Sequence, residues 1–260
     1  MKHLFFKFLF LIIALGITSC IKTEEENNFH NDFMKAAQKR IEYSKVSETN
    51  HVNFNDYFDK NSKHGIKLRT VSIAELNIKS GHIVACDPFY AGEEFTLPFD
   101  KQVKPGKYKI RLCFGNFKNW GERVAFAQLK FSDFKPVKWE LAKTISKNKE
   151  PETFYGVDAG LGCFADLETA NLFNKIMNKF YKEHPKGNYY DDILAHEFKN
   201  HEDWINHYPE QNNNLNIVMF SSGFGDGIYS SYWGLDAKGK IVCLVTDFQL
   251  FSKNGSIFHE

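Results

Sequence analysis

Lys107-Tyr108-Lys109-Ile110-Arg111-Leu112-Cys113-Phe114 alternates cleanly, with Tyr108, Ile110, Leu112 and Phe114 on one side and charged side chains on the other. Successive side chains of a strand point to opposite faces, so the octet predicts a β-strand with one face buried and one face wet. Pro105-Gly106 just before it is turn chemistry. Outward from there, residues 123–131 repeat the pattern with Ala125, Ala127, Leu129 and Phe131 on one side, and residues 137–141 predict a neighbouring strand. Half-buried strands of this kind build an antiparallel sheet. The chain holds 26 Phe, 11 Tyr and 4 Trp, bulky core material that suits strands more than helices.

Two helices interrupt the strands. Asp166 is a good N-cap with Glu168 in the first turn, and Leu167, Ala170, Phe173, Met177, Phe180 and Tyr181 form an apolar stripe that must pack on the sheet. His184-Pro185-Lys186-Gly187 stops that helix. A second helix is expected over residues 190–207, with Ile193, Leu194, Phe198, Trp204 and Ile205 apolar. An N-terminal helix is expected over residues 31–44, where Phe33, Met34, Ala37 and Ile41 recur at helical spacing. The last quarter returns to strands, with a hairpin turn at Asp236-Ala237-Lys238-Gly239. The expected fold is α+β: a mainly antiparallel twisted sheet with two helices packed on it, plus the N-terminal helix. The expected organisation is a signal peptide at 1–19, a tether at 20–30, a helix and connecting segment at 31–65, and a single α+β domain at 66–260.

The N-terminus carries an address. Lys2, His3 and Lys7 make a basic head, residues 8–17 an apolar core, and Ile17-Thr18-Ser19-Cys20 a lipoprotein cleavage site. The apolar run is about ten residues, short of the ~20 a spanning helix needs. Cleavage leaves Cys20 as a lipidated N-terminus, so palmitate-type acylation and a bacterial cell-envelope location are expected, at the outer membrane or cell surface. Glu24-Glu25-Glu26 lies in a polar segment without apolar periodicity, which reads as a solvated tether. With 33 basic and 32 acidic residues the chain has no electrostatic footprint for nucleic acid. The expected partners are the membrane, through the lipid, and a protein.

Four further cysteines, Cys86, Cys113, Cys163 and Cys243, contain no CxxC pair, which speaks against a structural zinc site or a thioredoxin-type motif. In an oxidising compartment they could make two bridges in three connectivities, or stay as small buried hydrophobes.

Three stretches could carry chemistry. His196-Glu197-Phe198-Lys199-Asn200-His201 has its histidines five apart, about 140° around a helix, which is incompatible with the zincin arrangement. Gly156-Val157-Asp158-Ala159-Gly160 allows a sharp turn at a strand end, where the Asp158 carboxylate could bind a cation or activate water. Residues 220–236 are the richest. Ser222 lacks the glycine two positions earlier that a nucleophile elbow uses, and no phosphate loop is present. What remains is a glycine-permitted bend with Asp226, Tyr229, Tyr232, Trp233 and Asp236 as binding candidates, or else a tight β-connection whose aromatics fill the core.

Ser80-Gly81-His82-Ile83-Val84-Ala85-Cys86-Asp87-Pro88, Val103-Lys104-Pro105-Gly106-Lys107-Tyr108, Gly156-Val157-Asp158-Ala159-Gly160 and residues 220–248 together resemble an uncharacterised bacterial family, number 4241 in the series of domains of unknown function. The resemblance covers about residues 71–250 and implies a common fold and a shared glycine-aspartate loop, with no catalytic role to transfer. Ser222-Gly223-Phe224-Gly225-Asp226-Gly227 separately resembles immunity proteins of the Smi1/Knr4 type, which implies a partner-binding role. Two functions follow. One is a non-catalytic ligand- or protein-binding module on a lipid tether, which needs no cofactor. The other is a divalent-cation-dependent hydrolase in which Asp87, Asp158 and Asp226 converge on one metal ion.

Overall fold

The computed structural model describes residues 53–90, 97–145, 151–199 and 201–251. The expected signal peptide, Cys20, the tether and the helix over 31–44 lie outside the described residues.

Lys107 to Phe114 is strand as read, inside β4 (Gly106–Phe117). It pairs with β2 (Ile66–Ile78) on one side and β5 (Gly121–Lys130) on the other, all antiparallel. The sheet runs β1-β2-β4-β5-β12-β11-β6, where β1 is Ser62–Lys63, β6 Lys138–Leu141, β11 Gly227–Leu235 and β12 Ile241–Asp247. β7 (Tyr155–Val157) pairs with the first residues of β11, and β6 with its last residues. A second, four-stranded sheet runs β3-β8-β10-β9, with β3 Ile83–Cys86, β8 Leu161–Asp166, β9 Trp204–His207 and β10 Ile217–Ser221. The expectation of a sheet-rich antiparallel α+β chain stands, but the strands form two sheets where one was read.

The central core fills the space between the sheets. Ile110, Leu112 and Phe114 of β4 meet Phe164 of β8 and Val218 and Phe220 of β10 there. Strand alternation sends Val84, Cys86, Cys163, Ala165, Ile217 and Met219 to the far side of the smaller sheet, against α2 (Leu167–Glu183). The far side of the larger sheet is covered by α1 (Asn55–Phe58), whose Phe54 neighbour, Tyr57 and Phe58 pack on Phe126. Both faces of each sheet are thus lined by apolar side chains, which accounts for the Phe content.

Three corrections have local causes. Ala125 leaves the face of Ala127 and Leu129, because the pairing slips between Cys113 and Phe114 and Ala125 becomes the extra residue of a bulge. Its carbonyl instead accepts from the Phe248 amide. The second helix does not run to residue 207: a π-turn (Tyr190–Leu194) and α3 (Ala195–Phe198) are followed by β9, where Trp204 and Ile205 pair with Phe220 and Met219. An unpaired edge of the smaller sheet offers those β-prone residues main-chain partners that a longer helix could not. Tyr181 and Ile193 are exposed, one step past the buried stripes of Phe173 and Met177 and of Leu194 and Phe198.

The Asp166 cap is as read. One carboxylate oxygen accepts from the Glu168 amide at 2.9 Å, while the other takes the amides of Lys79 and Ser80 and the Ser80 hydroxyl. One buried side chain therefore starts α2 and ties the β2–β3 connection to it.

Candidate functional site

The strand ends gather the singled-out loops on one edge of the sandwich. β3 ends at Cys86, so Asp87 falls at the start of a 3-10 turn, Pro88–Tyr90. One Asp87 oxygen accepts from the amides of Asp158 and Ala159, both at 2.9 Å, and the other from the Phe89 amide at 2.9 Å. Asp87 is fully buried. Burial raises its carboxyl above the ordinary aspartate range, while the amides of Asp158, Phe89 and Ala159 pull it back down.

The same turn is held from its other side. The Gly160 amide donates to Asp226 at 3.0 Å, and the Gly160 carbonyl accepts from the Ser222 amide at 3.1 Å. Asp87 and Asp226 thus grip the turn formed by residues 158–160 through its backbone, and the Asp158 side chain is exposed between them. Among the described residues, no three His, Cys, Asp or Glu side chains are grouped so as to hold a metal ion.

The 222–226 bend is closed by its own side chains. The Ser222 hydroxyl donates to the Gly225 carbonyl at 2.9 Å, and the Tyr229 hydroxyl reaches the carbonyls of Gly225 at 2.7 Å and Ser222 at 3.1 Å. Gly223 and Gly225 have φ of +60° and +109°, values L side chains rarely adopt. Tyr229 is therefore a strut beneath the loop, buried to 1 % exposure. Tyr232 and Trp233 are buried too, the first against Phe54 and the second against Phe99, so all three aromatics belong to the interior. Asp236 sits at the other end of β11, roughly 30 Å from Asp226 at about 3.3 Å per residue. There it accepts from the amides of Lys238 and Lys240 and closes the hairpin.

What this edge shows to solvent is a different aromatic pair. Trp120, at the tip of the β4–β5 hairpin, is 49 % exposed and stands edge-on to Phe224 with ring centroids 5.4 Å apart. Phe224 rests in turn on buried Phe117 at 6.0 Å. The sequence reading missed Trp120, although an aromatic before Gly121 in a turn was visible as a signal. Tyr90, 38 % exposed, is a further aromatic at this edge, its hydroxyl pKa raised by burial and by the charges of Asp158 and Asp87.

A cleft of about 490 Å³ lies elsewhere, beside α1, and is lined by Lys60, Arg69 and Arg111 among others. Its guanidinium groups are engaged, Arg69 with Glu122 and Arg111 with the Phe58 carbonyl and Gln128.

The family described as "Protein of unknown function (DUF4241)" matches residues 76–246. No curated protein and no solved structure matches the chain.

Proposed function

The chain belongs to the DUF4241 family, whose description assigns no activity, and from that premise we propose that it is a lipid-anchored bacterial envelope protein acting as a non-catalytic binding module. The anchor is Cys20. The binding surface is the edge carrying Trp120, Phe224, Asp158 and Asp226. The observation that carries this reading is exposed Trp120 standing against half-buried Phe224, the latter in a bend that the Tyr229 hydroxyl holds from below. Aromatic side chains give contact area at low entropic cost, and loops on a rigid scaffold are where recognition concentrates. The exposed carboxylates of Asp158 and Asp226 beside them suit a protein partner that presents apolar and basic side chains, as an immunity-like role would require.

The cation-dependent hydrolase is less well supported. Both oxygens of Asp87 already accept backbone amides, which commits that carboxylate to the loop. Melting with calcium, magnesium, manganese or zinc distinguishes the two, since a ligand that binds only the folded state raises the midpoint. A rise that Asp226→Asn abolishes would move the assignment to the hydrolase.

The direct test is photo-cross-linking in cells from a photoreactive residue at position 118. A discrete cross-linked protein that disappears in Trp120→Ser/Phe224→Ser, with melting unchanged, is the expected result. Cross-links that persist in the double variant, or none at all, would overturn this surface.

A further inference from the structure

The pairing of β3 with β8 sets Cys86 directly opposite Cys163, 77 residues later. Their Sγ atoms are 3.5 Å apart, and both thiols are free and buried. Directly opposed residues of an antiparallel pair have Cα atoms about 4.5–5.5 Å apart, inside the 4.4–6.8 Å range that a disulfide bridges. Closing this pair therefore takes rotation of two side chains, with the strands left where they are.

The other two cysteines have no such relation. Cys113 stands opposite Phe126 and Cys243 opposite Lys130, on the two strands that flank β5. Two strand spacings, about 10 Å, separate them across the sheet before their offset along it is counted, which exceeds disulfide reach. Both belong to the layer under α1, whereas Cys86 and Cys163 belong to the layer under α2. Of the pairings open to these four cysteines, the fold selects one.

We propose that Cys86 and Cys163 form a disulfide by exchange with an oxidising disulfide, either a small molecule such as oxidised glutathione or an oxidoreductase. One thiolate attacks the incoming disulfide and expels a thiolate, giving a mixed disulfide. The second thiolate displaces the remaining half, so the two cysteines lose two hydrogens and the incoming disulfide becomes two thiols. Burial pushes the Cys163 thiol well up, so Cys163 holds little thiolate in the native state and exchange proceeds during folding or when the four-residue β3 opens. The bond would fix the residue just before Asp87, the side chain that clamps the 158–160 turn.

The test needs no assumption about where the protein resides. The full chain is refolded from urea across a series of reduced-to-oxidised glutathione ratios, free thiols are blocked with N-ethylmaleimide, and the digest is mapped by mass. The expected result is a peptide pair joined through Cys86 and Cys163, two hydrogens lighter than the reduced peptides, whose fraction rises with the oxidised share. Cys113 and Cys243 should be blocked throughout. In Cys86→Ala, Cys163 should become blockable at every ratio, with no new linkage. Protein oxidised without unfolding gives a second readout that does not depend on refolding yield. Cys86 and Cys163 both blocked at every ratio in natively melting protein, or a dominant linkage through Cys113 or Cys243, would overturn the proposal.

Discussion

The buried carboxylate of Asp87 accepts the amide of Asp158 at 2.9 Å, across 71 residues of sequence. It takes the Ala159 and Phe89 amides as well, so one side chain defines the path of two loops. Asp87→Asn keeps one acceptor oxygen and turns an N–H group toward amides that need acceptors. The expected loss is about 1–3 kcal/mol, read from urea denaturation. A loss below ~0.5 kcal/mol would mean that the loops hold without the clamp.

The same residue gives stability a pH dependence. Its native carboxyl titrates above the ordinary value of 3.8, so the folded state binds the proton more tightly than the unfolded state does. That contribution is fully present below the unfolded value and is lost as pH rises through the native one. The stability of the parent relative to Asp87→Asn should therefore be greatest at acid pH and decline toward neutrality. Paired urea midpoints across that range check it, and a rise toward neutral pH would contradict the shift.

Gly223 and Asp226 separate the shape of the bend from what it presents. A Cβ at Gly223 would meet Phe248 Cβ at 3.0 Å and Leu250 at 3.2 Å on a backbone with φ +60°. Gly223→Ala should cost about 1–3 kcal/mol through strain and overpacking. Asp226→Asn retains the oxygen to which Gly160 donates and lies at the surface, so its change should stay within about 0.5 kcal/mol. Thermal or urea melts of both decide the point. Equal losses would make Asp226 part of the loop's framework.

Phe173 of α2 is fully buried, whereas Trp139 of β6 is only half-buried and leans edge-on against Phe54. Phe173→Ala should lose about 3–5 kcal/mol. Trp139→Ala should lose less than half as much, because less apolar area leaves the interior. Chemical denaturation of the two variants would show the reverse order if β6 contributed more to the core than α2.

Cys20→Ala should abolish incorporation of labelled fatty acid into the protein, since the thioether to the lipid forms only on that sulfur. Metabolic labelling of cells producing parent and variant is the measurement. Equal label in both would remove the lipoprotein proposal.

The sequence by itself determined the elements whose signals are local. The strand from Tyr108 to Phe114, the Asp166 cap and the Asp236-Ala237-Lys238-Gly239 turn each depend on residues within a few positions of one another and are found as read, except that the face of the strand expected to be wet is covered in part, with Cys113 buried under α1. Tertiary structure decided everything that depends on a distant partner. Trp204 and Ile205 carry an apolar pattern that suits helix or strand, and the open edge beside Phe220 and Met219 made them strand. Tyr229, Tyr232 and Trp233 could have faced water or the core, and a second sheet and α1 enclosed them. Asp87, Asp158 and Asp226 were legible as candidates, yet only the meeting of β3, β8 and β11 turned two of them toward backbone amides. Local chemistry writes short-range rules into the chain, whereas burial and long-range pairing exist only once the strands have met.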